Sequence, residues 1–354
     1  MTETAKRAAL ATLVVGGLVV LALAIWKIRL LVALLFFAFI LAAAMRPAIE
    51  ALRRRGVPRG VGIAIHYVCF VAVIAGLLWL VVPRATEQVT NALGGLPSSS
   101  EELEAEASQS TGVRRQILEG VQQRLEELPS AGELVDPALE IGFLGFEILI
   151  GIFFVFASAA YWIFEREKAV DLVTSLIPRP RRKTVRDTWD LIDLKLGAYV
   201  RGQALLIAMV GTVLSLVFWA IGLPYWLLIG VFAGIVEIVP VIGPLLAGAV
   251  AVGVGLTVSW QLGLAAGITV LVVRLLEDYI VIPRVLGDAV GLSPLLVLFS
   301  ITSVALLFGE FAVLLAIPLA AVLATLLDVV VRGKDPAEED VPTVIFSPAD
   351  SETA

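Results

Sequence analysis

Six ionisable residues stand in or beside apolar runs in the second half of the chain: Glu237, Arg274, Glu277, Asp278, Arg284 and Glu310. A charged side chain within lipid is costly unless it is paired or hydrated, and one retained there commonly carries a proton, an ion or a polar solute. Each of these residues has proline or glycine nearby. Glu237 opens the segment Glu237-Ile238-Val239-Pro240-Val241-Ile242-Gly243-Pro244. Two prolines four residues apart each lack an N–H and clash with the preceding turn, so one continuous helix through this stretch is not expected. Arg274 precedes Glu277 by three residues and Asp278 by four, the spacing at which both acids can meet the arginine on one helix face. Pro283 is expected to end or kink that helix, and Arg284-Val285-Leu286-Gly287-Asp288 reads as a turn. Gly309 and Glu310 interrupt a third apolar block and suggest an exposed hairpin tip, and Pro318 is expected to kink the last helix. The competing readings are simpler: Glu237 meets water at the membrane interface, and Arg274 to Arg284 form the charged end of a helix.

Nothing else in the chain points to catalysis. It holds one histidine, His66, and one cysteine, Cys69. Their three-residue spacing allows one helix face, but two ligands do not make a metal site. A Ser/His/Asp set and a phosphate-binding loop are both lacking, so no enzyme, no metal, no cofactor and no direct ATP drive are expected.

The elements that must position these residues are helices in a bilayer. Of 354 residues, 59% are apolar and only 16% charged, well under the roughly 25% charged residues of soluble domains. The net charge of −6 argues against a nucleic-acid partner. Runs near the ~20 apolar residues that a crossing needs occur at 8–26, 30–45, 61–82, 141–164 and 203–222, followed by long blocks at 224–256, 262–282 and 295–331. The first could be a signal peptide, but a hairpin of two spans fits its length and the second run better. Eight spans result, or ten if the halves of the first and last long blocks cross separately. The halves around Glu237, Tyr225–Val239 and Leu245–Val258, each reach roughly 22 Å at 1.5 Å per residue, short of a ~30 Å hydrocarbon core. Broken half-helices or a re-entrant hairpin follow, and membranes tolerate these only where protein or a wet cavity satisfies the freed backbone.

Arginines and lysines set the orientation. Arg46, Arg53, Arg54, Arg55 and Arg59 follow the second run, and Arg179, Arg181, Arg182, Lys183 and Arg186 follow the fourth. Both loops are expected in the cytoplasm, together with both termini. The organisation is then 1–83, three spans with a basic loop; 84–140, an external acidic segment with an amphipathic stretch at Val113–Leu128; 141–202, a fourth span and a basic amphipathic linker; 203–332, a transport core; and 333–354, a disordered acidic tail. In the linker, Val185, Trp189, Ile192 and Leu196 form an apolar stripe beside the arginines, which predicts a helix at the interface with anionic head groups.

The same motifs carry a resemblance. Gly222-Leu223-Pro224, then Gly234 through Glu237 to Pro244, then Glu277 through Pro283-Arg284 to Gly287, then Gly291-Leu292-Ser293-Pro294-Leu295, Phe308-Gly309 and Ala316-Ile317-Pro318-Leu319-Ala320 resemble, in order and spacing, the autoinducer-2 exporter family of bacterial permease-like proteins. Where that family often has Asp-Asn before the Pro-Arg motif, this chain has Glu277-Asp278. The resemblance implies an α-helical inner-membrane transporter of about eight spans that assembles as a homo-oligomer. Some members are linked to export of a small furanone-type signal molecule, others to exchange of sodium or lithium for protons. On this reading the path for a small-molecule or ion substrate is built from Glu237, Pro240, Gly243, Pro244, Arg274, Glu277, Asp278, Pro283, Arg284, Glu310 and Pro318.

Overall fold

The computed structural model describes residues 3–93, 135–239, 242–285, 294–339 and 341. These are helical throughout, with no strand among them. The predicted stretch Val113–Leu128 and the last residues of the tail lie outside the described residues.

Eleven helices follow one another: α1 Glu3–Lys27, α2 Arg29–Arg54, α3 Arg59–Leu93, α4 Val135–Ser175, α5 Arg182–Ala220, α6 Trp226–Val236, α7 Ile242–Val258, α8 Trp260–Leu276, the short α9 Ile282–Val285, α10 Pro294–Phe308 and α11 Ala316–Val330. Among the described residues, five helical stretches are long and apolar enough to cross a membrane: Arg29–Arg54, Arg59–Gln88, Gly145–Ser175, Arg179–Ala220 and Ala312–Val330. Three more, Trp226–Val236, Ile242–Val258 and Leu295–Phe308, are apolar but shorter. The chain is an integral membrane protein of many helices. Its outer surface is apolar, as a lipid solvent requires: Val68, Trp79, Phe153, Leu245 and Phe299 are all strongly exposed.

Helix α5 is the post of the structure. Its N-terminal half packs with α2, α10 and α11 around Ile40, Leu196, Ile301 and Ala316. Its C-terminal half packs with α6, α7 and α8 around Leu214, Phe218, Ala233, Ala251 and Ala266. Small residues let the backbones approach: Gly230 and Gly234 of α6 lie against Ser215 and Gly211 of α5, and Gly263 of α8 lies against Gly255 of α7.

Three local expectations change. The first two runs are not a hairpin. Ile28 between α1 and α2 keeps a near-helical backbone, φ −102° and ψ 17°, so the helices meet at a bend. Ser259, fully extended at φ −162° and ψ 156°, is what a reversal looks like, and it folds α8 back along α7. The stripe Val185, Trp189, Ile192 and Leu196 does not belong to a separate interfacial helix. It is the start of the 39-residue α5, and Trp189 stacks on Trp162 of α4 and meets Phe39 of α2 edge-on. The beginning of the acidic tail is tied down, Lys334 to Asp328 at 2.6 Å and Glu339 to Lys195 at 3.0 Å.

The two basic loops do come to the same end of the molecule. Arg46 near the end of α2 and Arg166 near the end of α4 both reach Asp193 near the start of α5, at 3.3 and 2.5 Å.

Candidate functional site

Helix α5 ends at a Schellman turn: Gly222 takes φ +74°, and Leu223 N–H reaches back to Phe218 O at 2.9 Å. The chain then runs back along α5 as α6, only 11 residues long and so about 16 Å. It breaks after Val236. Residues 237–239 form a loose turn, Pro240 and Val241 lie outside the described residues, and α7 begins at Ile242. Gly243 is pressed against the end of α6. A Cβ there would fall 2.0 Å from Val236 O, so no residue but glycine fits. Pro244 occupies the first turn of α7, where its missing N–H costs nothing. The break expected from the two prolines is present, and α6 and α7 form a helical hairpin around it.

The break frees the carbonyl of Glu237, and Gln203 of α5 donates its amide Nε2 to it at 3.0 Å. Gln203 was invisible as a site residue in the sequence. Its signal was a single amide in an apolar helix, set where a broken backbone needs a donor.

Helix α8 descends beside the hairpin and brings Arg274 to the same level. Arg274 Nη1 lies 2.9 Å from Glu237 Oε1 and 3.1 Å from Glu277 Oε2, and Nη2 lies 2.9 Å from Asp278 Oδ1. The i, i+3 and i, i+4 pairs are those the spacing required. Glu237, from another helix, is the third carboxylate on the same guanidinium. Its side chain is 6% exposed and that of Glu277 is 2% exposed. Among the described residues, Glu277 Oε1 has no hydrogen-bond partner. Asp278, 40% exposed, borders the surface. The space beside Glu237, Arg274 and Glu277 is about 10 Å³, at the lower limit for a single water.

Pro283 does not end α8. Its ring conflicts with the carbonyl four residues back, and the helix answers by widening into a π turn over Glu277–Val281 before α9 continues through Pro283. The widened turn holds both acids of α8. Arg284 is exposed and stands outside the cluster. Gly309 takes φ +94° at the turn between α10 and the 3₁₀ segment Glu310–Leu315; the Glu310 side chain lies outside what the structure describes. Pro318 does not kink α11. It is buried in the first turn of that helix, which starts at Ala316. Among the described residues, no group of three or more His, Cys, Asp or Glu side chains has the arrangement of a metal site.

Long apolar helices, one of them replaced by a broken hairpin that carries buried charge at its turn, define a polytopic membrane transporter. The sequence comparisons agree. The chain belongs to the AI-2E family of transporters, whose profile it matches over residues 15–332. It is 26% identical over 286 residues to YrrI of Bacillus subtilis, named as a transport protein, covering 79% of this chain and 81% of YrrI. It is 24% identical over 307 residues to PerM of Escherichia coli K12, named as a permease, covering 83% and 85%.

Proposed function

We propose that this protein exports a small polar solute in exchange for protons, and that Glu237 and Glu277 carry the proton. The observation that supports this reading most is the charge imbalance at Arg274. One guanidinium faces three carboxylates, which leaves two negative charges uncompensated when all are ionised. Two of the acids are buried in an apolar hairpin, where an unpaired charge costs several kcal/mol. A proton or another small cation offsets that cost, and its arrival or departure changes what Arg274 holds. Arg274 links α6 and α8 through these acids, so unloading the cluster loosens the hairpin. The backbone break at Glu237 and the π turn at Glu277 are where such a movement would be absorbed. The family's furanone-type signal molecule is the solute of first choice. In this reading the basic loops and both termini face the cytoplasm across a bacterial inner membrane, which the arginines and lysines of those loops support, and the working unit is a homo-oligomer.

The surplus of carboxylates also favours a second reading, in which sodium or lithium replaces the solute and exchanges for protons on the same acids. Proteoliposomes holding the full chain and a trapped pH dye separate the two. Proton movement on adding the furanone signal molecule, abolished by Glu237→Gln, supports export. Proton movement on adding NaCl alone supports cation exchange. Proton movement in neither case, with no solute flux, contradicts both.

A further inference from the structure

A large cavity lies away from the Arg274 cluster, at the end of the molecule that gathers the basic loops. Its volume is about 950 Å³, within the range of pockets that enclose a ligand. Phe36 of α2, Ile177 after α4, Ile192 of α5, and Val322, Leu326 and Val330 of α11 form its walls. The lining on α5 and on α11 each extends eight residues, roughly 12 Å of helix. A polar solute has little to bind in such walls.

The mouth differs from the interior. Arg181 lines it, with Thr184 beside it, and no acidic residue lines the cavity among the described residues. Two of the neighbouring cations are engaged. Arg182 donates to the carbonyls of Ser175 and Ile177 and closes the end of α4. Arg186 pairs with Asp171 and Glu167. The Arg181 guanidinium, which lines the cavity, has no ion pair or hydrogen bond among the described residues, and the residue is exposed. An apolar slot about 12 Å deep, an unpaired guanidinium at its rim and a position at the ends of membrane-spanning helices are complementary to one class of molecule.

We infer that this cavity is a binding site for an anionic phospholipid, whose acyl chain fills the slot between α2, α5 and α11 and whose phosphate sits on Arg181. Basic pockets between helices at the cytoplasmic face of membranes bind such head groups. The lipid would join α11 to α2 and α5 where no side chains fill the space. The inference rests on the membrane location and not on the transport reading, and it stands or falls separately.

The test uses the full chain, purified in mild detergent and supplied with phosphatidylglycerol or phosphatidylcholine. Native mass spectrometry is expected to show one phosphatidylglycerol retained per chain in preference to phosphatidylcholine. Arg181→Glu should weaken that retention about fivefold or more with an unchanged melting temperature in detergent alone. Ile192→Trp, which narrows the slot, should weaken retention of both lipids. Equal retention of the two lipids by wild type and Arg181→Glu would overturn the proposal. So would binding of inorganic phosphate as tight as that of the lipid, which would make the site a phosphate site. Two further outcomes would also overturn it. A chain shortened after residue 341 that gains lipid would show the C-terminal segment as the occupant. A change of oligomer mass without loss of lipid would show a second copy there.

Discussion

Two buried charge clusters sit at different levels along α5, one at Asp193 and one beside Gln203, and they are built in reverse. Near the start of α5 a carboxylate is at the centre: Asp193, 4% exposed, is held by Arg166 and by Arg46. Arg166 also reaches Asp190 and Glu167, both half exposed, so the surplus acids of that cluster face water. At the hairpin break a guanidinium is at the centre, and two of the three acids around it are buried. In the first arrangement two arginines oppose one buried carboxylate, although Asp193 Oδ1 has no hydrogen-bond partner among the described residues. This cluster fastens α2 and α4 to α5 with every inward charge opposed. The second is short of positive charge in the place where water is scarcest. One therefore behaves as a clamp, and the other needs a mobile cation.

The largest effect is expected where the scarce cation is removed. Arg274→Gln leaves Glu237 and Glu277 buried without an opposing charge, and removing one partner of a buried pair costs about 3–5 kcal/mol. Thermal unfolding in detergent should show a large loss, and a wild-type melting temperature would break the comparison.

The sharpest contrast comes from neutralising one acid in each cluster. Asp193→Asn removes the carboxylate that two arginines share, and a loss of about 3 kcal/mol is expected. Its surviving protein should still couple solute to protons. Glu237→Gln exchanges one hydrogen bond to Arg274 for relief of like-charge crowding with Glu277. Its stability should stay within about 1 kcal/mol of wild type while coupling is lost. Equal losses of stability in the two variants would mean that both clusters are clamps.

Smaller changes probe the break itself. Gly243→Ala forces a Cβ onto Val236 O, and overpacking of this kind costs about 1–3 kcal/mol. Gln203→Leu leaves the Glu237 carbonyl without its donor, at about 1–3 kcal/mol. Both are read by unfolding, and Gln203→Asn, whose shorter amide cannot reach, should resemble the leucine variant.

Much of the second cluster was legible in the sequence because it is local. Arg274, Glu277 and Asp278 are one helical turn apart, and helix geometry alone brings them together. The break at Pro240 and Pro244 was legible because proline acts on its own backbone. Glu237 meeting Arg274 was not, since 37 residues separate them and only the depth of the α6–α7 hairpin sets their levels equal. Proline was also where local reasoning went astray. Pro318 occupies a first turn, where it is harmless, and Pro283 widens its helix instead of ending it. A proline states that one hydrogen bond is missing, and the fold decides what replaces it. The Asp193 clamp was hidden for the opposite reason. Arg46, Arg166 and Asp193 lie in three separate helices, each in charged surroundings that resemble an ordinary membrane boundary, and only packing shows that Asp193 and Arg166 are buried. The stripe around Trp189 was legible as apolar, but the sequence did not say that aromatic residues of α2 and α4 pack against it.

The central claim is that the acids around Arg274 carry a proton that moves with the solute. The most direct measurement is proton flux per solute in proteoliposomes, comparing wild type with Glu237→Gln and Glu277→Gln, with Asp193→Asn as the clamp control. The account predicts coupled flux in wild type and in folded Asp193→Asn protein, and its loss in both glutamine variants. Coupled flux of wild-type size in both glutamine variants would contradict it.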